Sequence, residues 1–303
     1  MAERNPWLKY GLIAVAAILV IALGCGKDGK DWTSMDSGTH SQLNVVWGSS
    51  SADVFAVGQN DGTILHYDGN TWSSMSSAYT EGLKCIWGSS SADVFAVGYG
   101  GTILHYDGIT WSSMNSETNE ILFAVWGTSS SDVFAVGNSG TILHYDGIAW
   151  SSMSSGTTDT LLGIWGTSSS DVFVVGLFSI ILHYDGSNWT EMNRGTKGML
   201  VSVWGSSSSD VFAVEHYGTI LHYDGIAWSS MSSGTAEQLM GLWGTSPSEV
   251  FAVGYPGIIL HYDGSSWTEM SSGTTNALFS VWGSSSADVF AVGQYGTILH
   301  YAG

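Results

Sequence analysis

The chain has 303 residues, among them 40 Gly, 15 Trp, 13 Tyr and only 3 Pro. This composition favours many short strands and tight turns, and it argues against a disordered chain. The 7 basic residues stand against 26 acidic ones, which gives a formal net charge of −19 at pH 7. A surface of this charge repels nucleic-acid phosphates and anionic lipid headgroups, so nucleic acid is excluded as the expected partner.

The chain begins with a segment typical of protein export. Arg4 and Lys9 precede an apolar run at residues 11–24, which is short for a spanning helix and has the length of a signal-peptide core. Cys25 follows in the sequence "IALGC", which resembles the lipidation box of bacterial lipoproteins. The resemblance implies a signal peptide at residues 1–24 and a lipidated Cys25. We therefore expect membrane attachment through an N-terminal lipid, in the bacterial envelope at the outer membrane or cell surface.

Two alternatives to lipidation stay open, a plain signal peptide cut nearby and a short membrane anchor. Without lipidation or an anchor, the protein would be secreted. In the lipoprotein interpretation, residues 25–31 form a tether. Cys85 is then the only other cysteine of the mature chain, and it lies in an apolar strand pattern. We interpret it as a small core residue and expect no intramolecular disulfide.

Tryptophans recur along the chain with a period of 39 or 40 residues. Each repeat contains four short predicted strands, of the types "LNVVWG", "DVFAVG", "GTILHY" and "WSSM", joined by Gly, Ser and Asp turns. The second and third types are apolar on both faces, which indicates sheets that are covered on both sides. The repeated tryptophans are Trp47, Trp87, Trp126, Trp165, Trp204, Trp243 and Trp282.

The two ends of the repeat region distinguish a closed ring from an open solenoid. "WTSM" at residues 32–35 is a fourth strand with no first three before it, and "GTILHY" at residues 296–301 is a third strand with no fourth after it. The repeats are complete only if the N-terminal strand joins the last unit, which also hides the sheet edges. We therefore predict an all-β fold, a monomeric seven-bladed β-propeller over residues 32–303 with four-stranded blades of about 39 residues.

The run "VGxxGTIL…DGxxW" resembles the Asp-box type of propeller repeat, in the form found in photosystem II assembly factors and repeat-rich bacterial surface proteins. The resemblance covers residues 32–303. Propellers of this type include assembly factors, sugar-binding proteins and hydrolases, so the resemblance implies the architecture and leaves the function open.

One His and one acidic residue recur in every unit. Zinc needs three or four converging ligands, whereas each blade supplies a single His at its position, so we interpret the histidines as structural. The acidic residues open the second strand after a Ser-rich turn, where we expect them to accept turn N–H groups. The sequence contains no calcium-loop motif, and we expect no metal and no cofactor. The residues are His66, His105, His144, His183, His222, His261 and His300, with Asp53, Asp93, Asp132, Asp171, Asp210, Glu249 and Asp288.

Two features of the sequence argue against an enzymatic function. The propeller sialidases that the repeat resembles bind a substrate carboxylate with three arginines, but Arg194 is the only Arg after Cys25. Other glycosidases need two carboxylates in different environments, whereas most carboxylates here are copies in equivalent turns. We do not predict catalysis. A glycoside-acting enzyme remains the least favoured hypothesis, with Glu215 as its best candidate.

Strand alternation divides the turns between two faces of the disc. Turns one-to-two and three-to-four lie on one face, which we call the uniform face because its turns repeat as "GSSSxD" and "HYDGxxW". Turns two-to-three and the crossovers between blades lie on the other, which we call the variable face because its sequences differ between units. We expect function on the variable face.

The variable face carries residue types enriched at protein and sugar contacts. Arg194 and Lys197 share one crossover, Glu215 stands where the other units have glycine, and His216 follows it. Recognition of a protein partner is the main hypothesis, and a lectin-like sugar surface with several weak equivalent sites is the alternative. Drift of unconstrained loops would also explain the differences. The aromatic candidates are Tyr99, Phe178, Tyr217, Tyr255 and Tyr295.

Overall fold

The computed structural model describes residues 32–193 and 198–303. Within these ranges the chain forms seven four-stranded antiparallel sheets. The helical segments in the same ranges are four 3₁₀ turns, each between the second and third strands of a sheet, and none is long and apolar enough to cross a membrane. They are Tyr99–Gly101, Asn138–Gly140, Leu177–Ser179 and Gln294–Gly296.

Each blade is a sheet of four strands, which we number first to fourth outward from the centre of the ring. The first strands are β2 (Leu43–Ser50), β6 (Leu83–Ser90), β10 (Leu122–Ser129), β14 (Leu161–Ser168), β18 (Leu200–Ser207), β22 (Gln238–Ser246) and β26 (Leu278–Ser285). The second strands are β3 (Asp53–Gly58), β7 (Asp93–Gly98), β11 (Asp132–Gly137), β15 (Asp171–Gly176), β19 (Asp210–Glu215), β23 (Glu249–Tyr255) and β27 (Asp288–Gly293).

The outer two positions complete each sheet. The third strands are β4 (Ile64–Tyr67), β8 (Ile103–Tyr106), β12 (Ile142–Tyr145), β16 (Ile181–Tyr184), β20 (Ile220–Tyr223), β24 (Ile259–Tyr262) and β28 (Ile298–Ala302). The fourth strands are β5 (Trp72–Met75), β9 (Trp111–Met114), β13 (Trp150–Met153), β17 (Trp189–Glu191), β21 (Trp228–Met231), β25 (Trp267–Met270) and β1 (Trp32–Met35). Blades 1 to 7 are numbered in the order of their first strands.

The predicted closure of the ring is confirmed. Strand β1 pairs antiparallel with β28, with Trp32 opposite Tyr301, so blade 7 is built from β26, β27, β28 and β1. Trp32 is buried between blades 6 and 7, where its ring meets the edge of Phe251. The N-terminal strand therefore completes the last blade and leaves it with the same four strands as the others.

Neighbouring blades meet around the axis through their first strands. Each first strand carries a Trp-Gly pair, and the glycine lets the preceding blade's tryptophan approach closely. A Cβ added at Gly48 of blade 1 would lie 2.6 Å from the ring of Trp282 in blade 7. The same relation holds for the corresponding glycine of every blade, so the pair recurs because it interlocks the ring.

The core lies between the blades, and the second strands form its centre. In β3, Phe55 and Val57 pack against blade 2, while the alternate residues pack against blade 7. The Phe55 ring lies 6.1 Å from Trp47 in its own blade and 6.0 Å from Tyr106 in the next. Burial of such a side chain stabilises the fold by about 1.5–3 kcal/mol. The "DVFAVG" strand is thus covered on both sides, as predicted.

Candidate functional site

The recurring His and Asp of the uniform face form hydrogen-bonded pairs. In blade 1, Nε2 of His66 donates to Oδ1 of Asp53 at 2.7 Å, and the Ser49 hydroxyl donates to Oδ2 of the same carboxylate at 2.5 Å. Every blade has the pair, with Glu249 in place of aspartate in blade 6. The structural interpretation of the histidines is confirmed. The predicted acceptance of turn N–H groups is wrong for Asp53, because a ring and a hydroxyl occupy its two oxygens.

The turns between third and fourth strands have the carboxylate-to-backbone hydrogen bonds instead. Oδ1 of Asp68 accepts the N–H groups of Asn70 at 2.9 Å and Thr71 at 2.8 Å. These bonds, that from Thr71 most of all, hold the pKa of Asp68 below its usual value. In blade 6 the Ser265 hydroxyl adds a further bond and lowers the pKa of Asp263 to about 2. These carboxylates therefore stabilise the turns of the uniform face by accepting hydrogen bonds from the backbone. Asp107, Asp146, Asp185 and Asp224 repeat the arrangement of Asp68.

Three exposed isoleucines interrupt the uniform face. Ile109, Ile148 and Ile226 stand in the turn between third and fourth strands, with 84%, 88% and 89% of their surface exposed. They lie in blades 2, 3 and 5, one in each turn. Isolated apolar residues of this kind are ordinary on protein surfaces.

On the variable face, most of the predicted aromatics project into solvent. Phe178, Tyr217 and Tyr295 occupy the second position of their turns, and 66%, 69% and 69% of their surfaces are exposed. Tyr255 stands at the first position of its turn and is 48% exposed. Amphipathic rings held outward at this level of exposure present contact area to a partner.

Tyr99 departs from the predicted ring of exposed aromatics, because it is partly buried. Its carbonyl oxygen accepts the hydroxyl of Tyr79 at 3.2 Å, and the Lys84 ammonium lies 4.5 Å from the centre of its ring. Tyr99 is the first residue of its turn, whereas Tyr295 is the second. The structure thus leaves four outward aromatics and one that packs beside the first strand of blade 2.

Two of the outward aromatics sit in a backbone conformation that suits glycine. Phe178 and Tyr295 have φ of 54° and 55°, and Gly100 has φ of 59° at the same place in blade 2. Left-handed backbone costs a non-glycine residue about 1–2 kcal/mol. The turn itself gives no reason for a bulky ring here. Ser139 has the same conformation in blade 3, with φ of 55°, so the turn accepts residues other than glycine at this place.

The side chain of Glu215 occupies a place on the variable face that the neighbouring crossover leaves empty, because that crossover has a glycine there. Its carboxylate fills the space beside Gly198, where an added Cβ would lie 1.2 Å from Oε1 of Glu215. Every other crossover has a side chain where blade 5 has Gly198. Blade 5 therefore keeps a carboxylate at this place but supplies it from β19. Arg194 and Lys197, predicted as ligand-binding residues, lie outside the described residues, as does Cys25.

A central cavity of about 530 Å³ opens between the first strands and was not anticipated from the sequence. Its wall includes the residue that follows the recurring Leu near the start of every first strand, and we call these seven side chains the mouth ring because strand direction places them near the variable face. All are partly buried. They vary strongly within an otherwise constant "LxxxWG" pattern, which is the signal that could have revealed them. The mouth ring consists of Asn44, Lys84, Phe123, Leu162, Val201, Met240 and Phe279.

Two potentially reactive side chains also line this cavity. Burial raises the pKa of the Cys85 thiol to about 11, which keeps it protonated and favours the predicted role as a small packing residue. His216 stacks edge-on against Tyr217 at 5.2 Å, and its buried Nδ1 has no hydrogen-bond partner within the described part of the chain. Across residues 32–193 and 198–303, no group of three or more His, Cys, Asp or Glu is arranged to hold a metal ion.

Comparison with known proteins supports the fold and nothing narrower. No protein-family model matches the chain, and no curated protein matches it. A structure of YCF48 bound to D1 peptide superposes with a TM-score of 0.76 at 17% identity, over 91% of this chain and 96% of that one. YCF48 from Cyanidioschyzon merolae gives 0.73 at 17% identity, over 89% and 98%. The WD40 β-propeller domain of Doa1 gives 0.78 at 10% identity, over 90% and 96%.

These likenesses confirm the propeller that the Asp-box resemblance implied. At such low identities the likeness is one of fold, so the Asp-box assignment rests on the sequence resemblance alone.

Proposed function

We propose that this protein is a non-catalytic binding propeller that recognises a protein partner on its variable face. The observation that carries the proposal is the set of exposed aromatics there, two of them held in strained backbone. Phe178 and Tyr295 stand where glycine would fit without strain, and Tyr217 and Tyr255 extend the same surface. Rigid amphipathic rings bring large contact area at small entropic cost, which is why they dominate binding hot spots.

Two further observations support this proposal. The fold is suited to it, since YCF48 was solved with a D1 peptide bound. The carboxylates of the uniform face, such as Asp53 and Asp68, accept hydrogen bonds that repeat from blade to blade. A catalytic site needs unequal groups in distinct environments, so these copies favour binding over catalysis.

The proposal includes an envelope location. A lipid on Cys25 and a tether at residues 25–31 would hold the ring beside a membrane surface. Growth with radiolabelled palmitate tests this directly. We expect label in the wild-type chain and none in Cys25→Ala; equal labelling of both proteins contradicts lipidation at this residue.

Affinity capture with two matched baits tests recognition on the variable face. One full-length bait carries Phe178→Ser, Tyr217→Ser, Tyr255→Ser and Tyr295→Ser. The control bait carries Ile109→Ser, Ile148→Ser and Ile226→Ser, which remove exposed apolar groups from the uniform face. We expect a partner from extracts of the source organism to bind the wild type and the control but not the aromatic variant. Loss on the isoleucine bait alone would place recognition on the opposite face.

A lectin-like function is the second candidate, and one observation favours it. Shallow grooves rich in Ser and Thr recur between the two-to-three turn and the crossover of blades 3, 5 and 6. Their recurrence matches the several weak equivalent sites that a sugar-binding ring would use. Titration calorimetry with a multivalent glycan distinguishes the two candidates. A stoichiometry of several ligands per chain supports the lectin, whereas one partner per chain supports protein recognition.

A further inference from the structure

The variable face carries an arc of carboxylates, each at or beside the position three residues before a mouth-ring side chain. Blades 2 to 6 each contribute one acidic residue beside the start of the first strand, and we call these five the rim carboxylates. Hydrogen bonds hold the backbone at these places: Thr118 Oγ1 accepts the N–H of Glu120 at 3.1 Å, and Thr235 Oγ1 accepts that of Glu237 at 3.0 Å. The rim carboxylates are Glu81, Glu120, Asp159, Glu215 and Glu237.

Few positive charges oppose this arc. Lys84 is the only Lys or Arg among the residues that the structure describes, and its ammonium is placed over the ring of Tyr99. Arg194 and Lys197 lie outside those residues. The chain as a whole has a formal net charge of −19. Carboxylates gathered on one face attract cations and repel anions, so this face favours positively charged partners.

The cavity inside the rim is apolar over most of its circumference. Blades 3 to 7 each place an apolar residue in the mouth ring, and each of these side chains is only partly buried. The cavity volume of about 530 Å³ lies in the range of sites that enclose small ligands, so it has room for an apolar side chain. Met240 adds a flexible, polarisable group that adapts to the shape of what enters. The other four residues of this arc are Phe123, Leu162, Val201 and Phe279.

From this arrangement we infer that the centre of the variable face binds a protein segment in which Lys or Arg residues flank an apolar side chain. The apolar side chain enters the cavity between the mouth-ring residues, and the flanking cations pair with the rim carboxylates. The inference rests on the proposed function and names the chemistry of its partner. The buried Nδ1 of His216, unpartnered within the described chain, adds one polar group to the wall of the same cavity.

Selection from a phage library of short random peptides tests the partner chemistry directly, because the library samples charged, polar and apolar sequences alike. The full-length chain is immobilised and panned at low and at physiological salt. We expect enrichment of peptides with Lys or Arg on both sides of Leu, Ile, Met or Phe, and weaker retention at higher salt. Enrichment of acidic or wholly polar peptides, or no enrichment at all, overturns the inference.

Binding of an enriched peptide to variants then tests the site, measured by fluorescence anisotropy. The rim variant Glu81→Gln, Glu120→Gln, Asp159→Asn is expected to bind about tenfold more weakly and with a flatter salt dependence. Glu269→Gln is the control, because it removes an exposed carboxylate from the outer strand β25 and leaves the rim intact. Equal affinity of the rim variant and the control contradicts the pairing of cations with the rim.

The apolar anchor is tested with mouth-ring variants. Phe279→Ser and, separately, Met240→Ser are expected to weaken the peptide about tenfold, while Ile148→Ser on the uniform face leaves the affinity unchanged. Circular dichroism confirms that each variant is folded. Where Phe279→Ser does not fold, Met240→Ser alone decides the result. Unchanged affinity in the folded mouth-ring variants contradicts insertion into the cavity.

The failure of this inference is distinguishable from the failure of the proposed function. One result would separate the two. If capture is lost in the variant of the four exposed aromatics but is unchanged in the rim and mouth-ring variants, the proposed function stands and the inference is wrong. The four aromatics are Phe178, Tyr217, Tyr255 and Tyr295. If capture is unchanged in the aromatic variant and also in the rim and mouth-ring variants, the proposed function and the inference are both wrong.

Discussion

The two faces of the ring differ in what their side chains do. On the uniform face, side chains such as Asp53 and His66 hydrogen-bond to one another. On the variable face, the backbone supplies its own bonds: the N–H of Thr102 donates to Tyr99 at 3.1 Å, and that of Thr297 donates to Gln294 at 3.0 Å. The exposed side chains of Phe178 and Tyr295 take no part in these backbone bonds, so they can contact a partner without loss of the turn.

The largest expected effect comes from one residue type placed in two environments, the core and the variable face. Phe134 is 1% exposed and packs 4.4 Å from His144, whereas Phe178 is 66% exposed. We expect Phe134→Ala to lower the free energy of unfolding by about 3–5 kcal/mol and Phe178→Ala to change it by less than about 0.5 kcal/mol. Guanidinium unfolding measures both. Similar losses would show that the exposed ring contributes to the fold.

A smaller effect is expected from the paired carboxylates of the uniform face. Asp132→Asn weakens the hydrogen bonds to His144 and Thr128 and should lower stability by about 1–3 kcal/mol. Glu249→Gln is the matched variant in blade 6, where the acidic side chain is 40% exposed compared with 17% for Asp132. We expect it to cost less, as measured by urea unfolding. An equal or larger cost would mean that solvent access does not weaken this pair.

Acid should weaken the turns of the uniform face. A depressed pKa in the folded state means that the stabilisation is complete above the ordinary pKa of aspartate, about 4, and is lost as the pH falls through the folded value. For Asp263 that value is about 2, because the Ser265 hydroxyl and the Ser266 and Ser265 N–H groups stabilise its charge. We expect the melting temperature of Asp263→Asn to fall less than that of the wild type across this window. Parallel melting profiles would show no contribution from Asp263.

The smallest effect on stability, with a large effect on binding, is expected at Tyr295. Glycine relieves the strain at φ of 55° but adds backbone freedom to the unfolded chain, so Tyr295→Gly should change stability by less than about 1 kcal/mol. Its affinity for a captured partner should fall about tenfold, as for loss of a hot-spot ring. Calorimetric melting and surface plasmon resonance measure the two quantities. A destabilised variant with unchanged affinity would assign the ring to the fold.

The sequence by itself determined the ring. The repeat period, the strand types and the unmatched strands at the two ends were sufficient to predict seven blades and the closure by Trp32–Met35. This was possible because each blade is a local unit whose hydrogen bonds and apolar positions repeat along the chain. The division into a uniform and a variable face followed from strand alternation alone.

Only the tertiary structure decided which side chains meet at the centre. Residues such as Phe123 and Phe279 are far apart in the chain and become neighbours of one cavity only when the ring closes. A sequence comparison of loops also passes over the mouth ring, because its residues lie within strands. Tyr99 and Tyr295 belong to corresponding turns, but only the structure shows that the side chain of Tyr99 is partly buried and that of Tyr295 is exposed.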